Sequence, residues 1–284
     1  MPARFPETTF VEAPPETVNT AKAKPTTCQV LATKPGCEVW ALGSRRILKS
    51  KEWYPGCEID AENTRYVRTI CDIPIPDILT SWTDDDRFMT VQDRINGTEL
   101  ERVIPSLTKD DLVRIGNQLG QHLLKLRETT DERMRMLDGR MVIDRRLLKP
   151  LQNDHLHGNI TTDQHVRDAL QSRISGTVER GIVTGLMNRM PTALPFTFSH
   201  SDLHEGNIMV KDGQFTGLID WEVAGFYPVW WDYVNCCELI GDYLPAELRH
   251  DDAVEWFRVY NAIREHPEAA ETKALALEYL GQSF

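Results

Sequence analysis

The stretch Phe198-Ser199-His200-Ser201-Asp202-Leu203-His204-Glu205-Gly206-Asn207-Ile208-Met209-Val210, followed by Ile219-Asp220-Trp221-Glu222, constrains this chain more than any other. Two short apolar runs, Ile208-Met209-Val210 and Phe215-Thr216-Gly217-Leu218-Ile219, read as strands, and Asp212-Gly213 between them is the dipeptide of a type I′ hairpin turn. That turn sets a register in which Lys211 faces Gln214 and Ile208 faces Gly217. Asn207 and Asp220 then leave the hairpin at the same end, one with an amide oxygen and the other with a carboxylate. Hard oxygen donors of this kind suit Mg²⁺, which keeps several waters and completes its shell with phosphate oxygens. Asp202, a short way before Asn207, is placed to accept the proton of an attacking hydroxyl.

H-x-D-x-x-x-x-N followed by a second acid is the spacing of a kinase catalytic loop and its metal-binding Asp. The run HSDLHEGNIMV…LIDWEVAGFYPVWWDY resembles the aminoglycoside phosphotransferase and choline kinase-like family, particularly its fungal phosphotransferase-enzyme-family members, where His-Gly-Asp-Leu-His-x-Gly-Asn and Ile-Asp-Trp-Glu recur. The resemblance spans about residues 37 to 280 and is most specific in the second half. It implies an α+β, bilobal protein-kinase-like fold: a flexible arm over 1–27, a small antiparallel-sheet lobe over 28–93 and a mostly helical lobe over 94–284. The activity it implies is transfer of the γ-phosphoryl group of ATP to a hydroxyl of a small molecule. Asp202 would be the base, His200 would brace the loop, and Asn207 and Asp220 would hold Mg²⁺. Nucleotide binding without transfer, as in a pseudokinase or scaffold, is the alternative.

Upstream, Val39-Trp40-Ala41-Leu42 and Arg45-Arg46-Ile47-Leu48-Lys49 flank Gly43-Ser44 as a hairpin, with Lys49 ending its second strand. The resemblance gives Lys49 the nucleotide's phosphates and a partner acid on the next helix. Counting back from Ile73-Pro74-Ile75-Pro76 puts Asp60 at that position, yet Asp is one methylene shorter than the usual Glu, so Glu62 and Glu58 remain alternatives. The only glycine-loop candidate is Lys34-Pro35-Gly36-Cys37. Each Pro of 73–76 keeps the residue before it extended. Strand-like Arg87 to Val91 then enters Gln92 to Thr98, which resembles the family's interlobe hinge, where adenine would bind backbone at Asp93 and Ile95.

Thr108-Lys109-Asp110-Asp111 opens a helix with an acceptor at its cap and acids in its first turn, and Leu112, Ile115, Leu119, Leu123 and Leu126 follow as a core face. Asp144, His155, His157 and His165 show no metal-ligand spacing. Val254, Phe257, Tyr260 and Ile263 read as part of C-terminal helices. Ser201 and Glu205 depart from the family's pattern, which often has Pro at the second. Ser201 stands where the family often has Gly, so a positive φ there would strain it. Asp232 resembles the family's Asp that holds the catalytic-loop backbone.

At 284 residues and 41% hydrophobic content the chain can bury two lobes. No apolar run approaches the ~20 residues of a membrane span, and no secretory apolar region opens it, so a soluble, cytoplasmic protein is expected. Its six cysteines read as reduced thiols. Residues 199–284 carry 16 Asp/Glu against 5 Lys/Arg, while the first 198 residues balance at 27 against 27. An acidic surface disfavours nucleic acid and anionic membranes and attracts cations. A helix beyond Trp230 would put Glu238 and Asp242 on one face, which points to a cationic acceptor such as an amino alcohol or amino sugar.

Overall fold

The computed structural model describes residues 28–142, 146–147 and 159–281. The arm expected over 1–27, and Asp144, His155 and His157, lie outside the described residues. Among the described residues no helix is long and apolar enough to cross a membrane.

Strands β1 (Cys28–Lys34), β2 (Cys37–Leu42) and β3 (Arg46–Glu52) precede helix α1 (Ile59–Ile70), and β4 (Ile78–Asp84) and β5 (Arg87–Asp93) follow it. They form one antiparallel sheet in the order β1-β2-β3-β5-β4. β5 shows why these runs are strands: Phe88, Thr90 and Gln92 are buried while their neighbours are not, the period of two that one covered face demands. The hairpin expected around Gly43-Ser44 is β2–β3, but its second strand runs beyond Lys49 to Glu52 because β5 pairs along its whole length. Lys51 therefore shares a face with Lys49. Ile73 to Pro76 is neither helix nor strand, with Ile73 and Ile75 buried and Pro74 O accepting Leu218 N–H at 3.0 Å.

Beyond Asp93 the chain leaves this sheet through 94–97. It continues as β6 (Thr98–Glu99), α2 (Leu100–Val103), α3 (Lys109–Arg127), β7 (Thr130–Asp131) and β8 (Arg135–Met136). α4 (Asp163–Ile174), α5 (Arg180–Asn188), β9 (Phe196–Ser199), β10 (Ile208–Lys211), β11 (Gln214–Leu218) and β12 (Gly225–Pro228) come next. α6 (Trp231–Asn235), α7 (Glu238–Gly241), α8 (Asp251–Glu265) and α9 (Ala270–Leu280) end the described chain. Two small sheets, β11-β10-β6 and β7-β9-β12-β8, are set among the helices.

α3 begins at a complete capping box: Thr108 Oγ1 accepts Asp111 N–H at 3.2 Å and Asp111 Oδ2 accepts Thr108 N–H at 3.0 Å. Ile115, Leu119, Leu123 and Leu126 are buried as their spacing requires. Its polar side grips the β10–β11 turn. Arg114 Nη1 donates to Gly213 O at 2.9 Å, and Gln118 Oε1 accepts Phe215 N–H at 2.9 Å.

Asp212 and Gly213 both have positive φ, 51° and 67°, as a type I′ turn requires. The register nevertheless differs from the expected one. Lys211 faces Gln214, but Ile208 faces Leu218 and Met209 faces Gly217, because a bulge intervenes before Val210–Phe215. Thr216 is the extra residue. The neighbouring chain leaves little room: a Cβ on Gly97 would come within 2.8 Å of Val210 O, and one on Gly217 within 2.9 Å of Pro74 O. The bulge still delivers both ligand candidates to one end, with Ile219 N–H donating to Asn207 O at 3.1 Å.

The larger core is aromatic around the second sheet, where Phe196, Phe198, Trp221, Tyr227, Trp230, Trp231, Trp256 and Tyr260 are almost fully buried. On α8 the buried residues are Ala253, Trp256, Val259, Tyr260 and Ile263. Val254 lies on the same helix, as expected, and is 40% exposed, since the stripe passes one residue to its side.

Candidate active site

Lys49 reaches from β3 between two carboxylates, donating to Asp60 Oδ2 on α1 at 3.1 Å and to Asp220 Oδ1 at 3.3 Å. Burial opposes its charge, but Asp220 and Asp60 outweigh that and hold the ammonium well above the ordinary lysine range. Lys49 in turn holds the Asp220 carboxyl well below the usual carboxylate range, against its burial. The short Asp60 suffices because α1 lies close to the 220–224 turn. Its Oδ1 accepts Trp221 N–H at 3.0 Å, and Asn63 Nδ2 donates to Trp221 O and Ala224 O at 2.7 and 3.1 Å. Glu58 and Glu62, the other candidates, are exposed. Asp220 has φ 68°, a conformation that Asp tolerates better than most side chains.

His200 is fully buried and braces the loop through both ring nitrogens. Nε2 donates to Ile219 O at 3.0 Å and Nδ1 accepts Asp202 N–H at 3.2 Å, which fixes the neutral tautomer. Burial pushes its pKa down to about 4, despite the pull of Asp202. Asp232 holds the same loop from below, Oδ2 accepting His200 N–H at 3.2 Å and Oδ1 accepting Ser201 N–H at 2.9 Å. Burial pushes its carboxyl up to about 6, against those two donors. Asn207 Nδ2 donates to Asp202 O at 2.9 Å and to Asp202 Oδ2 at 3.1 Å. With its N–H groups so directed, the Asn207 amide oxygen is the atom left to meet a cation.

Asp202 faces a cavity of about 550 Å³ whose wall includes Tyr54, Arg140, Arg146, Glu222 and Val223. Glu238 and Asp242, expected to line an acceptor site, are exposed at the ends of the short α7 and are not part of that wall. At the expected hinge, Asp93 N–H donates to Asp77 O at 2.9 Å and its carboxylate pairs with Arg46, while Ile95 packs over Gly217.

The phosphotransferase enzyme family model matches residues 49–268. The chain belongs to that family. Among solved structures, the streptomycin–ATP ternary complex of APH(2″)-IIa is 12% identical with a TM-score of 0.56, covering 90% of this chain and 91% of its own. The GDP complex of aminoglycoside 2′-phosphotransferase-IIIa is 14% identical with a TM-score of 0.57, covering 90% and 92%. Aminoglycoside phosphotransferase APH(4)-Ia is 15% identical with a TM-score of 0.57, covering 90% and 93%. No curated protein matches. At these identities the likeness establishes the fold, and the bilobal protein-kinase-like architecture expected from the sequence is the one present.

Within this phosphotransferase-family site several residues escaped the sequence reading. Lys51 Nζ donates to Glu222 Oε2 at 2.5 Å and lies 3.8 Å from Asp60 Oδ2, joining β3 to the residue two beyond Asp220. His204 Nδ1 accepts Gly206 N–H at 3.0 Å, so its Nε2 carries the proton, 3.6 Å from Asp202 Oδ2. Arg146 Nη2 donates to Ser201 O at 3.2 Å and to Asp202 Oδ1 at 3.4 Å. His204 stands inside the quoted motif, where its recurrence was the available signal. Arg140 and Arg146 carry no local signal, because tertiary packing alone brings them to the cavity. All six cysteines are free thiols.

Proposed function

We propose that this phosphotransferase-family protein works in the cytoplasm, transferring the γ-phosphoryl group of ATP to a hydroxyl of a small molecule held in the cavity. The observation that carries this reading is a lysine clamped between Asp60 and Asp220 beside a carboxylate, Asp202, that opens onto a cavity. Lys49 would offset phosphate charge. Asn207 and Asp220 supply the hard oxygen donors that Mg²⁺ takes, and the bound ion would neutralise charge on the phosphates. As the acceptor oxygen bonds to the γ-phosphorus, the bond from that phosphorus to its bridging oxygen breaks and ADP leaves. Asp202 takes the hydroxyl proton. Because such transfer is loose and highly charged, positioning and electrostatics supply most of the rate. The six free cysteines fit a reducing compartment.

A nucleotide-binding protein without transfer is favoured by one observation, the single glycine in the β1–β2 turn, which offers few backbone N–H groups to a phosphate. Calorimetric titration of MgATP, followed by a transfer assay over hydroxylated acceptors, separates the two. Asp220→Ala should lose Mg²⁺-dependent ATP binding, and Asp202→Ala should keep binding and lose transfer. Wild-type-like binding by the Asp220 variant would overturn the metal assignment. Binding by wild type with no transfer to any acceptor would favour the second reading. The cationic acceptor expected from the acidic C-terminal third draws no support from Glu238 and Asp242, which lie off the cavity.

A further inference from the structure

Among the described residues, the charged side chains on the cavity wall are Arg140, Arg146, Asp202 and Glu222. Both acids already have a cation beside them. Glu222 Oε2 already lies 2.5 Å from Lys51 Nζ. Asp202 accepts from Asn207 at 3.1 Å and from Arg146 at 3.4 Å, and it is the group the reaction needs as base.

The arginines are themselves held in place. Arg140 is fixed before any ligand arrives: its N–H and Nε donate to Asp138 at 3.0 and 2.5 Å, its Nη2 pairs with the same carboxylate, and Nη1 donates to Pro55 O at 3.3 Å. Gly56 makes this possible. At φ 94° it has no side chain, and a Cβ there would fall 2.0 Å from Arg140 Nη1. Of the five guanidinium N–H groups, these contacts leave two for a ligand. Arg146 is anchored through its own carbonyl, which accepts from Arg264, and its Nη2 bridges Ser201 O and the base. Held guanidinium forks match the paired oxygens of a carboxylate or phosphate and lose little entropy on binding them. They also offset the repulsion between such an anion and the phosphoryl group arriving at Asp202.

Resting on the phosphotransfer reading, we infer that the acceptor is an anionic hydroxy compound, whose carboxylate or phosphate is bound by Arg140 and Arg146 while its hydroxyl meets Asp202. The site is thus specific for negative charge although the surrounding third of the chain is acidic.

The test uses the full chain with Mg²⁺ and a non-hydrolysable ATP analogue, and four linear six-carbon probes that differ in a terminal group: D-gluconate, D-glucitol 6-phosphate, D-glucitol and D-glucamine. Calorimetry and melting temperature report binding. Gluconate or glucitol 6-phosphate should bind roughly tenfold or more tighter than glucitol, with glucamine weakest, as one charge-assisted contact would give. The better of the two identifies the anion. Arg140→Gln should remove most of that preference, and Arg140→Lys, which keeps charge without the fork, should retain part of it. Equal binding of all four, strongest binding of glucamine, or no binding of any would overturn the inference, and the wild-type comparison decides this even if a variant fails to fold. Absence of stabilisation by the Mg²⁺–nucleotide itself would instead break the phosphotransfer reading.

Discussion

Trp231 Nε1 donates to Ser201 Oγ at 2.9 Å, and Ser201, immediately before Asp202, holds φ 70°. A side chain in the left-handed region costs about 1–2 kcal/mol, which glycine would avoid. Both groups are fully buried, however, so removing the hydroxyl strands an indole N–H at a cost of roughly 1–3 kcal/mol. Ser201→Ala keeps the strain and loses the partner, so it should destabilise more than Ser201→Gly, which loses the partner but relieves the strain. Urea denaturation of the two variants checks the order. An alanine variant as stable as the glycine variant would mean that the backbone at 201 is not strained.

His200 and Asp232 titrate in opposite senses under the same loop. His200 is pushed to about 4 from an ordinary 6.5, so between those values the unfolded chain binds a proton that the native protein refuses, and stability falls as the pH drops. Asp232 is raised to about 6 from 3.8, so in that window the native protein binds the extra proton and stability rises as the pH drops. Between about pH 6 and 4 the two offset each other. Asp232→Asn leaves His200 unopposed, and from pH 6 to 4 the variant should lose roughly 3 kcal/mol more than the wild type. Denaturant titrations across that range test it, and parallel pH profiles would count against opposed titration.

What the sequence made legible was local. Asp212-Gly213 announced its turn, Thr108 and Asp111 their cap, and the spacing of Asp202, Asn207 and Asp220 their convergence. What stayed hidden depended on distant partners. The bulge at Thr216 belongs to a hairpin crowded by Gly97 and Pro74, neither close in sequence. Lys51 lies in a polar run, Ser50-Lys51-Glu52, that is a strand because β2 and β5 pair with it from either side and Arg87 Nε donates to Ser50 Oγ at 2.9 Å. The acid count after residue 198 was real, but counting cannot tell an exposed turn from a cavity wall, and Glu238 and Asp242 proved to be the former.

Lys51 and Lys49 share Asp60 Oδ2, at 3.8 and 3.1 Å, and Glu222 draws Lys51 away from that competition. Burial works against the charge of Lys51, as does Lys49, yet Asp60, Asp220 and Glu222 together outweigh them, so the ammonium persists and must find a carboxylate. Glu222→Gln should turn it toward Asp60 and displace Lys49, weakening ATP affinity on the order of several-fold, as for loss of one charged contact. Lys51→Met in the same background should restore affinity by removing the competitor. If the double variant bound ATP no better than Glu222→Gln alone, Glu222 would act on the nucleotide by another route.

Gly206 sets the position of His204, and through it the surroundings of the base. A Cβ at 206 would lie 2.7 Å from His204 Cε1 and 3.0 Å from Nδ1, the atom that accepts Gly206 N–H. The imidazole is half exposed and can swing into solvent, so Gly206→Ala should leave the fold within about 1 kcal/mol of wild type. Swinging it out removes Nε2–H from its place 3.6 Å from Asp202 Oδ2. The carboxylate then keeps Asn207 and Arg146 but loses a neighbour that restrains its orientation, and small misplacements of a reacting group cost up to ~100-fold in rate. Transfer by Gly206→Ala and by His204→Ala should therefore fall by a similar factor, on the order of tenfold, in kcat rather than in KM for ATP. Paired steady-state kinetics of the two variants decide the matter. A loss in Gly206→Ala that His204→Ala does not share would place the role of Gly206 in the loop backbone, not in the imidazole.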